Sequence, residues 1–130
     1  MHPICKKLIS VFEIALYQKK QVSFPLGDIH KDRLNTVVKT VYAEYYGTER
    51  FPTPQQKACA FFYLIIKDHP LTDGNKRLAV IWLEVFCFEN DISLDSEDQT
   101  PLDALAVAVE RTNLPLDDAI ESISQFLLWD

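Results

Sequence analysis

The sequence predicts an all-α fold, a bundle of about six helices, and three observations carry that prediction. Apolar residues recur with a helical period along almost the whole chain. Only three glycines occur in 130 residues, and β-hairpin signals are almost absent. Helix-start signatures, Thr53-Pro54 and Thr100-Pro101, stand before two of the periodic runs. The length suits a single domain spanning residues 1–130, with one core.

From His2 to Lys20, Ile4, Leu8, Val11, Phe12, Ala15 and Leu16 make one apolar face opposite lysines, and Phe24-Pro25-Leu26-Gly27 breaks the helix. A second helix is expected from Ile29 to Tyr46, with Leu34, Val37, Val38, Val41, Tyr42 and Tyr45 on its inner side. Gly47 to Pro52 connects. Thr53 then reads as an N-cap, with Pro54 in the first helical position and Gln56 closing a capping box. The helix that follows is apolar nearly all round, which marks it as central. Pro70 disfavours helical backbone at His69 and stops this helix near Asp68. Another very apolar helix is expected from Lys76 to Glu89, including Phe88. A polar loop covers Asn90 to Gln99, and two last helices are expected at Leu102–Arg111 and Leu116–Trp129.

The net charge of −6 argues against a general nucleic-acid binder, because neutralising phosphates needs a basic surface. No basic recognition helix is present either, which disfavours a small DNA-binding regulator. No apolar run is long enough to span a bilayer, and the first residues lack a signal-peptide pattern, so the expected compartment is the cytoplasm. Cys59 and Cys87 lie inside apolar helical stretches and read as small core residues. Without a Cys-x-x-Cys, zinc has little support.

One stretch breaks the local rules: His69-Pro70-Leu71-Thr72-Asp73-Gly74-Asn75-Lys76-Arg77. Lys76 and Arg77 open a helix, where the macrodipole favours acids over cations. They make sense there if an anion is bound. Free N–H groups at a helix start, with Gly74 allowing close approach, form a phosphate cradle. Asp73 can hold a magnesium ion that bridges phosphates. His69 has the intrinsic pKa to accept a proton near neutrality. Base, metal ligand and phosphate clamp together suit transfer of a phosphoryl-type group. Taken singly, each residue also has an ordinary reading. Asp73 or Asn75 can cap the helix, Gly74 can serve the turn, Asp73 can offset the cations, and a loop histidine can simply be solvated.

The stretch resembles the Fic signature, His-Pro-Phe-x-Asp/Glu-Gly-Asn-x-Arg, and in particular its Asn-Lys-Arg form found in death-on-curing (Doc) toxins. His69, Pro70, Asp73, Gly74, Asn75 and Arg77 match, and Lys76 fits the Doc-like form. The flanks Phe51–Ala58 and Ile65–Asp68 resemble the two ends of the family's central helix. The resemblance runs over roughly Val41 to Asn90. It implies a Fic-fold bundle with a short flap, or β-hairpin, before that helix, here at Glu44–Phe51, which docks a target peptide by strand pairing. Tyr45 and Tyr46 would contact the target or a base, or be ordinary aromatics.

The implied roles are His69 as general base toward a hydroxyl of a target protein and Asp73 as magnesium ligand. Gly74, Asn75, Lys76 and Arg77 would hold the phosphates of ATP or another nucleoside triphosphate. Doc modifies translation elongation factor Tu, so a translation factor is the implied class of target, and a separate antitoxin the implied restraint. No membrane and no direct nucleic acid are implied as partners.

The pattern departs from the family at three places. Leu71 replaces the usual phenylalanine, in a slot that faces the core. Val80 stands where Fic adenylyltransferases carry a second arginine, which favours Doc-like phosphate transfer by a toxin kinase over AMP transfer (AMPylation). The inhibitory motif Ser/Thr-x-x-x-Glu-Gly/Asn is not matched, because Val85 occupies the hydroxyl position ahead of Glu89-Asn90. An adenylyltransferase and a catalytically silent binding module are the alternatives.

Overall fold

A computed structural model of the chain describes residues 3–18, 27–94 and 100–127. It contains six α-helices and one two-stranded hairpin: α1 (Pro3–Gln18), α2 (Asp28–Val41), β1 (Glu44–Tyr45), β2 (Thr48–Glu49), α3 (Pro54–Asp68), α4 (Asn75–Glu89), α5 (Thr100–Arg111) and α6 (Leu116–Phe126). The fold is the expected all-α, Fic-like bundle with a hairpin ahead of the central helix.

α3 is that central helix, packing against α2, α4, α5 and α6, while α1 lies on α4 and α2. Its sequence dictates this position, since residues 57–62 and 64–66 are all buried and a helix apolar on every side has nowhere else to go. Phe61 is the hub, with Trp82 at 5.7 Å and Phe86 at 5.2 Å between ring centroids and Tyr42 edge-on at 6.3 Å. Cys59 and Cys87 are buried free thiols pushed from 9.0 up to about 12, first by burial and then by a neighbouring charge, that of Cys87 on Cys59 and that of Glu84 on Cys87. They are core residues, as their neighbours in sequence implied.

The capping box at α3 forms as read. The Thr53 hydroxyl accepts the Gln56 N–H at 3.1 Å, and the Gln56 side chain accepts the Thr53 N–H at 3.2 Å. α2 ends earlier than its periodicity suggested, at Val41 rather than Tyr46. Tyr45 therefore lies in β1 and is exposed, not on a helix face. The reversal is made by Tyr46 and Gly47, both with positive φ (55° and 79°), as a type I′ hairpin requires. Aromatic residues prefer strands, so tyrosines at helical spacing do not by themselves extend a helix.

Phe88 is a second correction: it projects into solvent at the end of α4 although the rest of the helix is largely buried. α5 starts at Thr100 itself rather than after it, and α6 ends at Phe126, three residues short of the expected Trp129, which lies outside the described residues. The expected break at Phe24–Leu26 lies outside them too. Leu8 of α1 is buried as expected, with Ile9 beside it. The side chains of Val11, Phe12, Ala15 and Leu16 are not described. Among the described residues, no helix is long and apolar enough to cross a membrane.

Candidate active site at the start of α4

The turn between α3 and α4 is built by two left-handed residues. His69 ends α3 with φ 49° and ψ 61°, and Gly74 precedes α4 with φ 82° and ψ 20°. A left-handed histidine is strained relative to ordinary backbone, on the order of 1 kcal/mol or more, and such strain persists where its surroundings enforce it. Here the enforcing residue is Asn75. Its Oδ1 accepts the Leu71 N–H at 2.8 Å, and its Nδ2 donates to the Leu71 carbonyl at 3.0 Å, so one buried side chain ties off the loop. Leu71 is buried beneath it, in the core-facing slot expected of that position.

Above this clamp α4 begins open. No side chain caps it, and its first turn holds no acidic residue. Asp73 does not cap the helix; its Oδ1 accepts the Gly74 N–H at 2.8 Å. Asn75 does not cap it either, because its amide faces the loop. The backbone N–H groups of Asn75, Lys76 and Arg77 thus have no intrahelical acceptor, which is the general condition of a helix start. Arg77 is exposed and makes no hydrogen bond or ion pair among the described residues. Lys76 reaches sideways, with Nζ 3.1 and 3.2 Å from the two carboxylate oxygens of Glu110 on α5. That pair is half-exposed on both sides, so solvent screens it and its net strength is small.

His69 stands at the surface with Nδ1 3.3 Å from Asn75 Nδ2. Its neighbour Asp68 is raised above the ordinary carboxylate value by burial, with His69 pulling it part of the way back. The structure therefore brings His69, Asp73, Gly74, Asn75, Lys76 and Arg77 into one turn and one helix start. It gives Asn75 a job in the loop, so an anion there would meet its backbone N–H. Val80 is buried in the core and cannot contribute to anion binding.

Magnesium commonly takes a carboxylate or two together with substrate phosphates and retained water. An exposed Asp73 beside an open helix start fits that pattern. Among the described residues no three His, Cys, Asp or Glu side chains cluster as a ready-made cage, so such an ion would come with its phosphates.

Three residues that the sequence reading did not single out support the site. Glu110 pairs with Lys76 from 34 positions away, and no local signal announces it. Lys67 on α3 donates to the Glu110 and Thr112 carbonyls at 3.1 and 2.7 Å, fastening the last turn of α5 beside the loop. Lys57 is buried. Its Nζ donates to the Phe51 carbonyl and to Glu49 Oε1 (3.2 Å), and lies 5.3 Å from the Tyr42 ring centroid. Glu49 pairs across the hairpin with Glu44, and like charges directly opposite repel. Lys57 offsets that charge and holds the hairpin base onto α3. A lysine directly ahead of the apolar run Ala58 to Ile66, on the helix that the sequence marks as central, was the signal that could have revealed it.

A cleft of about 500 Å³ opens between the hairpin base, the start of α3 and α6, lined by Arg50, Phe51, Gln56, Asp117 and Glu121 among others. Arg50 crosses it to Asp117 at 3.0 Å. No residue of the His69–Arg77 stretch lines it.

Neither the curated proteins nor the solved structures compared with the chain gave a match. The family model described as Fic/DOC family matches residues 7–87, well over half of the chain, including the hairpin, α3, the loop and most of α4. The open helix start and its histidine therefore lie within the matched region, and the chain belongs to the Fic/DOC family.

Proposed function

We propose that the protein is a transferase that moves a phosphate-containing group from a nucleoside triphosphate, ATP, to a hydroxyl of a target protein, and that the group is the γ-phosphoryl, as in a toxin kinase. The observation that carries the reading is the uncapped start of α4, where Arg77 has no partner among the described residues and His69 stands one loop away. A helix start with bare N–H groups and an unpaired guanidinium is an anion site on electrostatic grounds alone.

In this reading the triphosphate seats on the N–H groups of Asn75, Lys76 and Arg77, with the Arg77 guanidinium on its oxygens and Lys76 released from Glu110 to join it. Gly74 is favoured by its positive φ, which would strain any residue with a side chain, although a Cβ there would meet no protein atom within 4 Å. Asp73 would hold magnesium, which would neutralise charge building on the phosphates. The target hydroxyl oxygen forms a bond to the γ-phosphorus as the bond to the β-γ bridging oxygen breaks. The hydroxyl proton passes to His69, and ADP leaves. The hairpin at Glu44–Glu49, braced by Lys57, presents the target segment beside the site. A cytoplasmic translation factor as target and an antitoxin as restraint complete the proposal.

Phosphoryl rather than adenylyl transfer is supported by Val80, whose burial leaves no second arginine to grip the triphosphate from that position. Incubation with Mg-ATP labelled at the α- or γ-phosphate and a cell lysate tests this. Label from the γ-position alone on protein is expected. Label from the α-position would make the protein an adenylyltransferase, and no label from either would remove the transferase reading.

A further inference from the structure

The orientation of an Asn side chain is normally ambiguous, because its oxygen and nitrogen look alike. Here Leu71 resolves it. The Leu71 N–H can only donate, so the atom 2.8 Å from it is Oδ1; the Leu71 carbonyl can only accept, so the atom 3.0 Å from it is Nδ2. Nδ2 has a second hydrogen, and His69 Nδ1 lies 3.3 Å from it. A ring nitrogen facing an N–H must offer its lone pair. A neutral imidazole carries one hydrogen, so with Nδ1 bare that hydrogen sits on Nε2.

We propose that Asn75 is a positioning residue that holds resting His69 in the Nε2–H form, so that the outer nitrogen is a donor and the ring becomes a base only after leaving the Asn75 amide. The inference rests on the transferase reading for its consequence, though not for its geometry. A base acting through Nε2 needs its lone pair there and its hydrogen on Nδ1, where it would confront the Asn75 N–H, donor against donor. The amide cannot yield cheaply: it is buried and doubly bonded to Leu71. The His69 ring is exposed and held by one long contact, so the ring is the part that moves. Substrate binding that swings the ring outward would free Nδ1 to take a proton from water while Nε2 gives its own proton to water, so that the outer nitrogen becomes an acceptor and the site stays idle until the target is in place.

The test is a long-range proton–nitrogen correlation spectrum of the imidazoles in the ¹⁵N-labelled protein without nucleotide, in alkaline buffer where the rings are neutral. The His69 signals are those lost in His69→Gln. Wild type is expected to show a single tautomer, with Nε2 protonated and Nδ1 bare. Asn75→Asp, whose carboxylate accepts, is expected to reverse it to Nδ1–H. Asn75→Ala is expected to relax it to a mixture and keeps the test decisive if the Asp variant fails to fold. A mixture or an Nδ1–H form in wild type would overturn the proposal, as would unchanged single-tautomer signals in a folded variant. Because no nucleotide or target is involved, absence of transferase activity leaves this result standing, and an active enzyme with the opposite tautomer would sink it alone.

Discussion

The two helices that meet at the loop have the same length and opposite beginnings. α3 starts behind Thr53, with a reciprocal pair of side-chain bonds, Pro54 in the first position and no loose donor left for solvent in that pair. α4 starts behind a left-handed glycine with no side-chain cap, no acid in its first turn and two cations in its place. The first arrangement stabilises the helix by itself, and the second stabilises it fully only when something negative arrives. α2 and α6 also start without a side-chain cap, but each carries an acid in its first turn; α4 has neither cap nor acid, which fits the proposed anion seat.

Removing the base at the open start has the largest expected effect. His69→Ala should lower kcat on the order of 10² to 10⁴-fold, the usual worth of a positioned general base, with nucleotide affinity nearly unchanged. Single-turnover transfer alongside equilibrium ATP binding separates the two quantities, and an unaffected kcat would rule out His69 as the base.

Arg77→Ala acts on the same start in two directions. Loss of a charged hydrogen-bonding partner costs about 1.5–3 kcal/mol, or roughly ten- to a hundredfold in ATP affinity. Folding stability should hold or rise by up to about 1 kcal/mol, because a cation leaves the positive end of the dipole. Calorimetric titration and urea unfolding of the same preparation read both.

Thr53→Ala sharpens the contrast from the closed side. It should destabilise the fold by about 1 kcal/mol by opening the capping box, without changing ATP affinity in the folded protein. An affinity loss there comparable to that of Arg77→Ala would erase the distinction between the two starts.

Away from their starts the helices behave alike, which gives the smallest prediction. Cys59 of α3 and Cys87 of α4 both have thiols pushed up to about 12. The unfolded thiols ionise first, near pH 8.5 to 9, so between there and about pH 12 the folded state binds more protons than the unfolded one and stability falls as pH rises. Below that window the contribution is constant. Urea midpoints from pH 7 to 10, together with slow alkylation of both residues at neutral pH, check it.

What could be read in the sequence was what short-range chemistry controls. Thr53, Pro54 and Gln56 specify their cap within four residues, and Pro70 stops α3 where it stands. The mismatch of Lys76 and Arg77 with a helix start is likewise local, so the site could be located before its geometry was known. The end of α2 was misread because Tyr42 and Tyr45 sustain a helical spacing across a hairpin. Its turn uses Tyr46 where an asparagine would have given the signal. Asn75 shows the limit for a site residue, since nothing in its position tells whether the amide faces an anion or its own loop. Pairing of Lys76 with Glu110 and burial of Lys57 depend on how separate elements pack, and the latter emerges only once the hairpin folds onto α3.

If the start of α4 is an anion seat and the start of α3 is not, nucleotide must perturb the backbone of one and spare the other. Titrating Mg-ATP into ¹⁵N-labelled protein and following backbone amide shifts tests it directly. Saturable shifts are expected at Gly74, Asn75, Lys76 and Arg77, with Gln55, Gln56 and Lys57 nearly still. Unmoved amides at 74–77 at saturating nucleotide, or equal movement at both helix starts, would contradict it.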